Sequence, residues 1–247
     1  MQFDVFTLFP EVFSPYLESS ILHRAQEMGR LEVSLHNIRD WATDKHHITD
    51  EPPYGGGGGM VMKPEPIFTA VEEILGKPPP CPVILMTPQG QLLTQKKAKS
   101  LAAHSHLAIV AGHYEGIDER VREHLITMEI SIGDFVLTGG ELPALVLIDI
   151  LTRLIPGVLG DPQAAENDSH ASGLLEYPHY TRPEEFRGWK VPETLRSGHH
   201  ARIDRWRRNE ALRRTLERRP ELLTGLDLSE EDQEFLDTII NQGSSEE

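Results

Sequence analysis

Five glycines crowd the stretch AIVAGHYEGIDERVREHLITMEISIGDFVLTGGELPALVLID, residues 108–149: Gly112, Gly116, Gly133, Gly139 and Gly140. They follow apolar or β-branched runs, so they mark turns where the chain is free to use positive φ and to bring bare backbone against a ligand. Their spacing is neither GxGxxG nor a P-loop, and no lysine lies among them, which disfavours a dinucleotide or a triphosphate. Taken alone, the glycines fit either a pocket that reads a small ligand through N–H and C=O groups or ordinary strand-to-helix turns.

A second concentration is electrostatic. Nine arginines against three acids fall between Arg196 and Arg219, inside a chain of net charge −15. Such a segment could hold phosphates, with Arg202, Arg205, Arg207, Arg208, Arg213 and Arg214 as the candidates, or could be a solvated helix face laced with ion pairs. A third feature is the run Gly55 to Gly59 between Tyr54 and Met60, in a polar stretch too long to be a simple connection. A loop of that kind inside a compact domain is usually functional, and it reads as a ligand-contacting loop. The histidine pairs His46-His47, His104 with His106, and His199-His200 lack an HExxH motif or a third ligand at useful spacing, so no dedicated zinc site is expected.

These groups need a scaffold. A chain of 247 residues with 38% hydrophobic and 26% charged residues can bury a real core as one large domain or two modest ones. Its single cysteine, Cys81, excludes an internal disulfide framework and points to a reducing cytoplasm. The N-terminal MQFDVFTLFPEVF has no basic n-region, and the apolar stretch from Leu142 to Leu151 is short and interrupted by Asp149, so neither export nor membrane spanning is expected.

Alternation predicts a strand over 2–9, a helix from Ser14-Pro15 to Gly29 and a strand over 32–38. Beyond the polar loop come a helix closed by Gly76, a strand over 83–87 ended by Pro88 to Gly90, a helix capped by Thr94, a strand over 107–112 and an apolar helix over 143–155. Strands alternating with helices imply an α/β fold with a mainly parallel sheet covered on both faces. Composition then turns to Pro, Gly and small polar residues, which places a domain boundary near Gly160. The chain divides into a large α/β domain over 1–160, a flexible linker over 161–173 and a helical domain over 174–247, with a disordered tail GSSEE. By the rarity of knots, the sheet reads as unknotted and doubly wound.

At GHYEGIDERV (112–121), SIGDFVLTGGELPA (131–144), IPGVLGD (155–161) and LEYPHYTRPEEF (175–186) the sequence resembles the bacterial tRNA (guanine-N1)-methyltransferases, with PYGGGGGMVMKPEP and TPQGQLLTQ as further blocks in the same order. The resemblance covers nearly the whole chain and carries several implications. The sheet would contain the deep trefoil knot of the SPOUT methyltransferases, and a homodimer would share its active sites between subunits. The ligand would be S-adenosylmethionine, bent into a pocket made by Leu85, Met86, Thr87 and Pro88, by Gly112, Tyr114, Glu115 and Gly116, and by Ser131, Ile132, Gly133, Asp134, Phe135, Val136, Leu137, Thr138, Gly139 and Gly140. The substrate would be the guanosine 3′ to the tRNA anticodon, at position 37, with Gly58 and Gly59 against the target base and the arginines of 202–214 on the RNA.

The implied reaction constrains the remaining residues. Guanine N1 carries a proton, so it becomes a nucleophile only as that proton leaves and charge spreads to O6, which calls for a base and a cation. By matching blocks, Asp168 takes the base role and Arg153 the O6 role. Outside the resemblance, Asp168 reads equally as a helix N-cap or a solvated linker acid, and Arg153 as a partner of a helix C-terminus. Glu115 would either accept from the guanine edge or help hold Mg²⁺, and the sequence does not separate the two. Three residues depart from the commonest family pattern: His113 where Arg is frequent, Gly58 where Pro is frequent, and His170 in place of an aromatic.

Overall fold

A computed structural model describes residues 1–161 and 168–243, so residues 162–167 of the expected linker and the tail beyond 243 lie outside the described residues. The chain forms two compact units, 1–162 and 163–247. The first contains strands β1 (Gln2–Thr7), β2 (Glu32–Asn37), β3 (Asp50–Glu51), β4 (Val61–Met62), β5 (Val83–Leu92), β6 (His106–Ala111) and β7 (Met128–Ser131). Its helices are α1 (Ser14–Leu17), α2 (Ser20–Glu27), α3 (Pro64–Leu75), α4 (Gln95–Leu101), α5 (Glu119–His124) and α6 (Glu141–Arg153).

Five strands join in the order β2-β1-β6-β5-β7, all parallel. Side chains alternate across a strand, and the two apolar cores follow that period of two. Phe3, Val5, Ile84, Met86, Leu107 and Ile109 pack on one face with Leu145, Ile148 and Leu151 of α6. Phe6, Val83, Leu85, Ala108 and Val110 pack on the other with Ile67 and Val71 of α3 and Val121 of α5. Both faces are therefore covered, as a parallel sheet requires. Asp4 is the buried charge within β1, and each of its oxygens receives an imidazole: His36 Nε2 at 2.7 Å from β2 and His106 Nε2 at 2.6 Å from β6. The Cys81 thiol is pushed up by burial and by the charge of Asp4, which leaves it a poor nucleophile.

Two local expectations are corrected. The first helix does not run unbroken to Gly29: the Ser19 hydroxyl donates to the Pro15 carbonyl at 2.6 Å, Ser20 takes φ +49°, and the chain restarts as α2. Strand β5 does not end at Pro88 to Gly90. Those residues leave the ladder, and pairing with β7 resumes on the far side, so that Met86 and Gln91 both stand opposite Ile130. Gly90 permits the return, because a Cβ there would collide with the Ile130 backbone. The expected Thr94 cap is formed, its hydroxyl accepting from Lys97 N–H at 3.2 Å.

The second unit holds a two-stranded hairpin, β8 (Glu185–Phe186) with β9 (Trp189–Lys190), and helices α7 (Glu193–Arg196), α8 (His200–Arg218) and α9 (Glu230–Gly243). Its apolar core is small, built on Leu174, Ala211, Leu212 and Leu236. An ionic clasp supplements it. Buried Asp232 in the first turn of α9 accepts from Arg208 Nε and Nη2 (3.1 and 2.7 Å) and from Arg205 Nη1 (3.1 Å), both on α8. Ser229 caps α9 by accepting from the Asp232 N–H at 3.2 Å.

Burial alone would raise the Asp232 pKa, but Arg208, Ser229 and Arg205 outweigh it and hold the carboxyl below its ordinary value. A depressed carboxylate pKa stabilises the fold above the unfolded value of about 3.9 and loses that contribution as pH falls through the depressed value. Protection of the α9 amides from hydrogen exchange should therefore fall below about pH 4 in the wild type, and Asp232→Asn should flatten that dependence. At neutral pH, Asp232→Ala should weaken the unit by about 2 kcal/mol, since both arginines keep part of their solvent when the acid is gone.

Candidate functional site

The bulge of β5 and the turns at the carboxyl ends of β6 and β7 enclose a cavity of about 210 Å³. Ligands of open α/β sheets bind at this edge, because side chains and loops diverge there around free strand ends. Three backbone excursions build the wall. Thr87, Pro88 and Gln89 bulge out of β5. Gly112 to Gly116 follow β6, and Tyr114 there takes φ +60°. The third excursion leaves β7 at Ser131 and reaches the start of α6 at Gly140.

Gly140 is where the last two excursions meet. Its N–H donates to the Gly112 carbonyl at 2.8 Å, and a Cβ would lie 2.8 Å from Ala111 Cα and 2.9 Å from Gly112 N. The close approach is thus between two pieces of the protein's own backbone. Buried Glu141 follows at the amino end of α6, accepting from Thr7 Oγ at 2.8 Å, and it sits where the helix dipole favours negative charge. A helix start filled by an internal carboxylate has little to offer a phosphate, in keeping with the absence of lysine from the lining.

Of the residues expected at the ligand, Leu85, Met86, Thr87, Pro88, Gly112, Tyr114, Glu115, Gly116, Ser131, Ile132, Gly133, Phe135, Val136, Leu137, Thr138, Gly139 and Gly140 all line this cavity. Asp134 does not. Sequence reasoning missed Gln89, Ile117, Arg122, Ile130 and Pro143, which also line it. Arg122 of α5 donates through Nη1 to Gln89 Oε1 and through Nη2 to Glu129, tying the β5 bulge to β7. No local signal announces the Gln89 end of that tie, 33 residues away in sequence. His113, noted only as a departure, lies between Phe9 (4.9 Å between ring centroids) and Glu141, whose Oε2 is 4.0 Å from Nε2.

The glycine loop meets the site through Gly59. A Cβ on Gly59 would fall on the Glu115 carboxyl group, and the Glu115 N–H donates to Met60 O at 3.0 Å. The β3-β4 pair closes this loop at its base, while Gly58 faces open space and Tyr54 is fully exposed. Arg153 is the last residue of α6, twelve steps from Glu141, which places it about 18 Å along the helix from the cavity edge at about 1.5 Å per residue. Half-buried Asp168 belongs to the second unit, where its carbonyl accepts from the Ala171 N–H at 3.1 Å.

Comparison with known proteins decides the family. The sequence profile described as "tRNA (Guanine-1)-methyltransferase TrmD" matches residues 1–225. The chain belongs to this family. Among curated members, a "tRNA (guanine-N(1)-)-methyltransferase" of Dehalococcoides mccartyi is 59% identical over 241 residues, 97% of each chain. Proteins of that name from Moorella thermoacetica and Halalkalibacterium halodurans are 58% and 56% identical over 241 and 243 residues, 97% and 98% of this chain and 96% and 99% of theirs. The tRNA (guanine-1)-methyltransferase family thus accounts for the blocks on which the sequence resemblance rests, and those blocks supply most of the cavity wall.

Among the arginines expected on RNA, Arg205 and Arg208 face Asp232. Arg214 donates to the Glu176 carbonyl at 3.2 Å, Arg213 lies near Glu210 and over Phe235, and Arg207 lies over Tyr177. Arg202 is exposed. Among the described residues no cluster of three His, Cys, Asp or Glu converges to hold a metal ion, and no helix is long and apolar enough to cross a membrane.

Gly140→Val should push α6 away from the end of β6, lowering the midpoint of thermal unfolding and weakening binding of S-adenosylmethionine, the ligand implied by the resemblance, by at least about tenfold in calorimetry. Gly58→Ala, which meets nothing within 4 Å, should leave that affinity unchanged.

Proposed function

We propose that this chain methylates N1 of guanosine 37 in tRNA, using S-adenosylmethionine held in the cavity between the β5 bulge and the carboxyl ends of β6 and β7. The observation that carries the reading is the make-up of that wall: bare backbone at Gly112, Gly116 and Gly139 for the hydrogen-bonding edge of an adenine, and apolar surface from Leu85, Ile130 and Pro143 for its faces. A cationic sulfonium suits a lining that contains Glu115 and no lysine, and whose arginine, Arg122, is engaged by Gln89 and Glu129. The bound cofactor supplies an electrophilic methyl group.

The protein's part is to position and deprotonate the base. Asp168 accepts the N1 proton as the N1–CH₃ bond forms and the S–CH₃ bond breaks, leaving S-adenosylhomocysteine. Arg153 holds the charge that develops on O6, which matters because a carboxylate removes this proton efficiently only when the anion is stabilised as it forms. Glu115, whose carboxyl group packs against Gly59, accepts from the guanine N1–H or N2 amino group or takes part in holding Mg²⁺ in this reading. A Mg²⁺ ion that accompanies the RNA would draw most of its ligands from phosphate and water, as this small, tightly hydrated ion usually does.

The separation between the cavity and Arg153 supports a shared site. An arginine about 18 Å along α6 does not reach back to its own cavity, whereas a two-fold partner could present it. Helix α6 is apolar on both sides: Ala144, Leu147 and Ile148 are buried in the core, while Leu142 is 57% and Val146 38% exposed. A homodimer built on that outer face, with each Asp168-bearing segment serving the partner's cavity, completes the proposal, together with a trefoil-knotted path through the cavity turns and a cytoplasmic setting. Arg202, Arg207 and Arg213 are the outward arginines of α8 for tRNA phosphates, while Arg205 and Arg208 are engaged by Asp232.

Incubation with labelled S-adenosylmethionine and a tRNA transcript carrying guanosine at positions 36 and 37 should place the label on N1 of nucleotide 37. Label elsewhere would refute the assignment. Asp168→Asn should cut turnover by about two to four orders of magnitude with cofactor affinity unchanged. On the dimer face, Leu142→Arg with Val146→Arg should give a folded monomer by light scattering, with activity reduced at least about a hundredfold. An active monomer would rule out the shared site.

A further inference from the structure

The sequence Glu185-Phe186-Arg187-Gly188-Trp189-Lys190 folds into a minimal hairpin. Arg187 and Gly188, at φ +54° and +86°, form its two-residue loop, a geometry whose twist matches paired strands but which a side-chain-bearing residue adopts uncommonly. Phe186 stands directly opposite Trp189, so both rings project from one face, with centroids 6.3 Å apart. On the other face Lys190 approaches Glu185 at 3.6 Å. The Arg187 guanidinium lies 5.2 Å from the Phe186 centroid and has no carboxylate partner among the described residues.

This face is unlike the rest of its unit. Phe186 is 55% and Trp189 70% exposed, and neither belongs to the core formed by Leu174, Ala211, Leu212 and Leu236. Two aromatic rings and an arginine plane form a surface of the kind on which nucleobases stack, because every base has a π-face and the guanidinium adds cation–π attraction. Size favours RNA over a protein partner. Two such side chains bury at most about 500 Å² on this side, short of the roughly 800 Å² per partner of a standard protein interface but ample for one or two bases.

We infer that the Phe186–Trp189 face of the hairpin, with Arg187, is a stacking site for an unpaired nucleobase of the substrate RNA, separate from the target guanosine. The inference rests on the proposed reading of tRNA as substrate. Its energetic core is the exposed indole, so the effect of removing the ring should follow aromatic character and not bulk or charge.

The test uses the full-length protein and the tRNA transcript of the methylation assay. Trp189→Ala should bind that tRNA about 5- to 100-fold more weakly and raise KM for tRNA, while kcat at saturating tRNA, S-adenosylmethionine affinity and the thermal unfolding midpoint stay as in the wild type. Trp189→Phe should recover most of the affinity. Indole fluorescence should be quenched when tRNA binds the wild type, and less so in Trp189→Phe. Wild-type tRNA affinity in Trp189→Ala would overturn the stacking site, as would equal loss in the Phe and Ala variants or a change from dimer to monomer on losing the ring. Absence of label on the tRNA with the wild-type protein would instead overturn the functional reading itself, so the two failures are distinct.

Discussion

The cavity depends on one contact between two stretches of main chain. Where β6 ends and α6 begins, the Gly140 N–H reaches the Gly112 carbonyl at 2.8 Å, in a space that excludes any Cβ. That approach sets the start of α6 against the turn after β6. From it follow the burial of Glu141 beside Thr7, the seating of His113 near the same carboxylate, and the course of the excursion from Ser131 to Gly140. A hydrogen bond of this kind contributes about 1 kcal/mol net, but the geometry it imposes is shared by the two stretches of wall that follow β6 and β7.

Electrostatics divide the two units differently. In the first, buried charge is sparing and fully engaged: Asp4 takes two imidazoles and Glu141 a hydroxyl and a helix end. In the second, a small apolar core leaves room for the clasp of Arg205 and Arg208 on Asp232. Arginine there serves two purposes from one helix: Arg205 and Arg208, three apart and so on one face, meet at Asp232, while Arg202, a turn earlier, stays in water. A local excess of positive charge is therefore a poor count of the cations left for a polyanion.

Much of this was legible in the sequence where local rules decide. The short, continuously apolar runs at Val83–Met86 and Leu107–Ala111 marked the central strands, Thr94 marked its cap, and the clustered glycines marked the turns that line the cavity. What escaped was set by partners far along the chain. Pro88 to Gly90 look like the end of a strand because a bulge and a terminus use the same residues, and only the pairing of Gln91 and Leu92 with β7 tells them apart. The inward turn of Arg205 and Arg208 depends on Asp232, more than twenty residues later, and the place of Arg122 in the wall depends on Gln89 and Glu129. Asp134 shows the converse, a residue inside a matching block whose neighbours line the cavity while it does not.

The β5 bulge has a consequence for how a ligand is received. A loop that closes on itself at a surface must be ordered by whatever binds to it, and that ordering subtracts from affinity at about 1–2 kcal/mol for each residue fixed. Thr87, Pro88 and Gln89 are held differently: the strand is in register before them and again after them, Leu93 N–H reaches Ser131 O at 2.8 Å beyond the return, and Arg122 fastens the tip. Their conformational entropy is surrendered when the sheet forms, so this part of the wall stands ready-shaped and adds no ordering cost of its own to binding.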